Sequence, residues 1–148
     1  LKLLVCTDGS EHSLRAINVA CTIAEGCRPD EVCIIHVYRP PNPPNISWEG
    51  ATEESMEFLR KINEQQVEEA KQILSEARAV FESRNIKAST ILEQGHPAER
   101  IVKVASEKGF DMIVIGNRGT GDWSKSILGS VSNTVVQEVK NCSVVTVK

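Results

Sequence analysis

The feature that most constrains this chain is the alternation of short apolar runs with helix-periodic segments, sustained from its first residues to its last. Apolar runs of strand length mark strands buried on both faces, and helices between them are the crossovers that parallel strands require. Leu3, Leu4, Val5 and Cys6 read as a first strand that stops at Thr7, Asp8, Gly9 and Ser10. Ser10 is placed to cap a helix whose apolar face takes Leu14, Ile17, Cys21 and Ala24, and residues 26–30 close it. Residues 32–37 form a second strand, and residues 39–52 hold four of the six prolines, too many for regular structure. Residues 53–83 predict one long amphipathic helix with Met56, Leu59, Val67, Ala70, Ile73, Leu74, Ala77 and Phe81 along its apolar side. A short strand at 88–92 follows, then a helix with Pro97 in the first-turn position that proline tolerates and Ile101, Val104 and Ala105 facing inward. Residues 111–115 make the clearest central strand. A helix over 130–139 and a strand at Ser143–Val147 complete five β and four α elements.

The expected fold is therefore α/β, a single doubly wound, open, parallel five-stranded sheet with four helices. At 148 residues the chain fits one domain, burying roughly two thirds of its unfolded surface, with no internal repeat and no linker. Hydrophobic residues at 41% and charged residues at 25% are those of a globular protein. A formal charge of −3 with scattered Lys and Arg argues against nucleic-acid binding, which needs a clustered basic excess. No apolar run approaches the roughly 18 residues of a membrane-spanning helix, and residues 1–8 are too short for a signal-peptide core, so a cytoplasmic location is expected. The five cysteines form no CxxC pair and lack zinc-ligand company. Cys21, Cys27 and Cys33, spaced every six residues, are expected to be buried, reduced thiols.

In open α/β sheets ligands bind beyond the carboxyl ends of the strands. That rule selects Thr7 to Ser10, Val37 to Arg39, Gln94 to His96 and residues 116–130, and sets Asp30 and Asp111 aside as turn residues at the opposite ends. Gly116, Asn117, Arg118 and Gly119 are followed by nine residues and then Gly129 and Ser130 at a helix start. Each glycine alone is an ordinary turn residue. Together, after a central strand and before a helix N-terminus, they predict a phosphate cradle. It is not a Walker A loop, because Asp122 stands where lysine is needed, and the GxGxxG dinucleotide fingerprint is missing after the first strand.

These residues carry a resemblance to the universal stress protein family over essentially the whole length. Its Gly-x2-Gly-x9-Gly-Ser/Thr hallmark is met by Gly116, Gly119, Gly129 and Ser130, and Thr7-Asp8, His36-Val37, Gly95-x-Pro97 and the strand leading to Gly116 fit the same pattern. The resemblance implies a Rossmann-like sheet in the order 3-2-1-4-5 and binding of ATP, or of AMP or ADP. Asp8 matches the position that contacts ribose, Val37 the backbone that reads the adenine edge, and Ile115, Gly116, Gly119, Gly129, Ser130 and Val131 the lining of ribose and phosphates. Cys6 and Thr7 line the same crevice, with Cys6 where proline or an aliphatic residue is common. Arg118 and Lys125 are open to two readings, phosphate contact or solvation, and Asp122 or Asp8 is a candidate for Mg²⁺. His12, His36 and His96 lie far apart, and no residue stands out as a general base for water.

The expected function is that of a nucleotide-gated binding module of the stress response: an adenine nucleotide orders residues 119–127 and changes the surface offered to a protein partner. Slow ATP hydrolysis and a nucleotide-independent interaction role are the alternatives. Ser143–Val147 reads as an apolar edge strand, and the resemblance implies a homodimer joined through it.

Overall fold

A computed structural model of the chain describes residues 1–41, 50–118 and 128–148. Strands β1 (Lys2–Cys6), β2 (Glu31–Tyr38), β3 (Ser89–Gln94), β4 (Met112–Gly116) and β5 (Ser143–Val147) alternate with helices α1 (Glu11–Cys27), α2 (Glu53–Ser83), α3 (Pro97–Lys108) and α4 (Ser130–Glu138). The strands form one parallel sheet in the order β3-β2-β1-β4-β5, as the resemblance implied. Successive side chains of a strand face opposite sides. Leu3, Val5, Val32, Ile34 and Val114 accordingly pack with Ala16, Ala20, Leu74 and Phe81 of α1 and α2. Leu4, Cys33, Ile35, Ile113 and Ile115 pack with Ile101, Val104 and Val135 of α3 and α4. Burial on both faces is why the strands read as unbroken apolar runs. No helix among the described residues is long and apolar enough to cross a membrane.

Three expectations are corrected. Leu14 is 48% exposed, because the buried stripe of α1 runs through Ser13, Ala16, Ile17, Ala20, Cys21 and Ala24, whose small members let the helix lie close to the sheet. Met56 is also exposed. A helix of 31 residues is about 46 Å long, whereas β2, the longest strand at 8 residues, spans about 26 Å, so α2 buries only Ala70, Leu74, Ala77 and Phe81 in its C-terminal half. Cys27 is exposed as well, since six residues turn a helix about 240° away from buried Cys21. All five cysteines are free thiols, and burial raises the thiol pKa of Cys21, Cys33 and Cys142. The proline-rich segment lies mostly outside the described residues.

Candidate nucleotide site

At the carboxyl ends of β1, β2 and β4 the sheet opens into a cavity of about 520 Å³. The expected residues Cys6, Thr7, Asp8, Val37, Ile115, Gly116, Arg118, Gly129, Ser130 and Val131 all line it, and Gly119, like Asp122 and Lys125, lies outside the described residues. Asp30 and Asp111 sit at the amino ends, where Asp111 accepts the Lys2 backbone N–H at 2.6 Å.

The turn from β1 into α1 is held by its own side chains. Asp8 Oδ1 accepts the Ser10 N–H at 3.0 Å, Thr7 Oγ1 accepts the Gly9 N–H at 3.3 Å, and Ser10 caps α1 by accepting the Ser13 N–H at 3.2 Å. Gly9 supplies the left-handed φ of +77° that lets the chain reverse there. Among the described residues no hydrogen bond reaches Asp8 Oδ2, which leaves one carboxylate oxygen for the cavity. Beside it Cys6 is held as the neutral thiol, its pKa raised chiefly by burial and further by the Asp8 charge.

On the opposite wall the strand end and helix start are clamped together. Asn117 C=O accepts the Gly129 N–H at 2.5 Å, and Ser132 Oγ lies 3.0 Å from the same carbonyl. Gly129 is the N-cap of α4 and supplies no capping side chain, and the first turn contains no acidic residue. Among the described residues nothing caps the first N–H groups of α4, which face the cavity with the positive end of the helix dipole. A Cβ at Gly116 would sit 2.9 Å from the His12 backbone, so this glycine is required by the close approach of β4 to α1.

Between the walls, Val37 presents its main chain. Ile35 C=O accepts the Thr7 N–H at 3.0 Å and Tyr38 C=O accepts the Gly95 N–H at 3.0 Å, so odd-numbered residues of β2 face β1 and even-numbered ones face β3. β1 ends at Cys6, paired with Ile35, and the Val37 N–H and C=O therefore point past its end into the crevice. The cavity is also lined by Tyr38 and Arg39, which strand polarity had selected together with Val37, and by Ser13, His36, Pro97, Ile101 and Ser132, which were not among the expected contacts. For Pro97 the signal was present in its place shortly past the end of β3. For Ser13 and Ser132 it lay in a shared position, the third residue of a helix entering the crevice.

The universal stress protein family model matches residues 1–148. The chain belongs to the universal stress protein family. Universal stress protein YxiE of Bacillus subtilis (strain 168) is 33% identical over 147 residues, covering 99% of this chain and 98% of its own. The structure of protein MJ0577 of Methanocaldococcus jannaschii matches with a TM-score of 0.79 at 28% identity, over 99% of this chain and 96% of that one. A universal stress protein solved in complex with cAMP matches with a TM-score of 0.70 at 26% identity, over 99% and 96% of the two chains. In this universal stress protein the cavity thus occupies the crevice of a fold shared with a nucleotide-bound relative.

Proposed function

We propose that this universal stress protein binds an adenine nucleotide, ATP in the first place, in the crevice at the carboxyl ends of β1, β2 and β4. The observation that carries the reading is convergence on one cavity. The Val37 N–H and C=O suit the acceptor and donor of an adenine edge, the Asp8 carboxylate suits ribose hydroxyls, and the uncapped start of α4 suits phosphate. Support also comes from the relative solved with cAMP. Cys6, Thr7, Ile115, Gly116, Arg118, Gly119, Gly129, Ser130 and Val131 complete the proposed contacts, and Mg²⁺ accompanies a bound triphosphate.

The protein acts as a regulatory module of the stress response. Its residues 1–148 form one nucleotide-binding domain, working in the cytoplasm as a homodimer through β5, whose occupancy changes the surface met by a protein partner. Calorimetric titration with ATP, ADP and AMP tests the site. Micromolar dissociation constants are expected, with binding lost in Gly129→Leu while the circular dichroism spectrum is kept. Absence of both heat and thermal stabilisation with all three nucleotides sinks the reading. Phosphate release above the blank under excess ATP and Mg²⁺ would replace the binding module by a slow ATPase.

A further inference from the structure

We infer that His36 is the positioning residue that stops the β1–β2 ladder and so keeps the Val37 N–H open for the acceptor nitrogen of an adenine ring. The inference rests on the proposed adenine-nucleotide site and assigns base recognition within it to a side chain. In a parallel ladder each residue facing its neighbour sends its N–H to one residue of that neighbour and receives an N–H from a later one. Ile35 follows this rule by accepting the Thr7 N–H at 3.0 Å, and the next rung would send the Val37 N–H to the Thr7 carbonyl. That rung is not formed. The Thr7 carbonyl lies 2.7 Å from Nδ1 of His36 instead.

A carbonyl only accepts, so Nδ1 carries the proton and donates. His36 is 8% exposed and its bond to Thr7 is buried, where a hydrogen bond is shielded from competing water. Thr7 is fixed from its other side too, since its hydroxyl lies 3.2 Å from Ser13 Oγ. The imidazole thus draws the Thr7 carbonyl out of the ladder. With no donor at this point, the carbonyl would take the Val37 N–H, lengthening the sheet by one rung and closing the base of the crevice.

The readout is discrimination between ATP and 1-deaza-ATP, in which the ring nitrogen that accepts from an N–H is replaced by C–H. Wild-type protein is expected to prefer ATP about tenfold by calorimetry, the value of one hydrogen bond. His36→Leu is expected to bring the ratio to about one. His36→Asn, whose Nδ2 stands near the place of Nδ1, is expected to restore it, whereas His36→Gln, with its donor displaced outward, is not. A general loss of stability lowers both affinities together and leaves their ratio unchanged. Should His36→Leu prove insoluble, the Asn and Gln pair carries the test alone. A tenfold preference that persists in Leu or Gln overturns the inference, as does wild-type protein that binds both nucleotides equally. Wild-type protein that binds neither overturns the adenine-nucleotide reading itself.

Discussion

Two helix N-termini enter the same crevice, and they are finished differently. At both α1 and α4 the third helical residue is a serine whose hydroxyl turns back to the N-cap carbonyl, Ser13 donating to Ser10 at 2.8 Å and Ser132 Oγ lying 3.1 Å from the Gly129 carbonyl. Each serine also reaches the preceding strand end, at Thr7 and at Asn117. The difference lies in the cap. Ser10 accepts a first-turn N–H of α1 and Glu11 faces the positive dipole end, while Gly129 offers α4 neither a capping oxygen nor a charge. Among the described residues, one helix start is satisfied by its own cap and the other keeps donors to spare. Two similar turns thereby acquire different chemistry, with a structural anchor on the β1 side and an anion-seeking terminus on the β4 side.

The comparison is broken most forcefully where the two walls touch. A Cβ at position 116 would lie 2.9 Å from both the carbonyl carbon and oxygen of His12, atoms of the α1 backbone that cannot rotate away. Gly116→Val is expected to force α1 off β4 and cost about 3 kcal/mol, the upper part of the usual range for overpacking. Urea denaturation followed by circular dichroism measures it. A variant within about 0.5 kcal/mol of wild type would mean that the walls are not in rigid contact.

Exchanging the caps tests the difference itself. Gly129→Asp gives α4 the oxygen and the charge that α1 already has, and is expected to reduce ATP affinity more than tenfold with adenosine affinity nearly unchanged. Its stability should move little, because the gained cap is offset by crowding of the new Cβ, 3.2 Å from the Asn117 carbonyl. Ser10→Ala should do the converse, losing about 1 kcal/mol of stability and less than threefold in ATP affinity. Equal effects of the two substitutions on ATP would erase the distinction.

Much of this was legible because strand ends are chemically marked. Asp8, Asp30 and Asp111 are alike in type, and the polarity of the parallel strands alone separated the one at the cavity from the two at the amino ends. The sheet order followed from the resemblance, and both walls from the places of Thr7 and Gly116. Less legible was whatever depends on distance between elements. The exposure of Met56 follows from α2 being longer than the strands beneath it, and that of Leu14 from which stripe of α1 meets β4. His36 reads in sequence as one more residue of a buried strand. Its bond to Thr7 joins positions 29 residues apart and leaves no periodic trace.

The finest distinction concerns Asp8, whose two oxygens are given different work. Oδ1 accepts the Ser10 N–H and shapes the turn, while Oδ2, which no hydrogen bond reaches among the described residues, is the oxygen assigned to the proposed contact with ribose. Asparagine keeps the turn, because its amide oxygen makes the same bond to the backbone two residues on. It replaces the second oxygen by a donor and removes the charge. Asp8→Asn is therefore expected to leave stability within about 0.5 kcal/mol and to weaken ATP about tenfold, the loss of one hydrogen bond to a charged acceptor. Against 2′,3′-dideoxy-ATP, which has no hydroxyl to offer, the same substitution should change affinity less than twofold. A tenfold loss with both nucleotides would move Asp8 from the ribose to the phosphates or to Mg²⁺. A loss of stability without loss of affinity would make the β1 turn wholly an anchor, leaving recognition to Val37 and the start of α4.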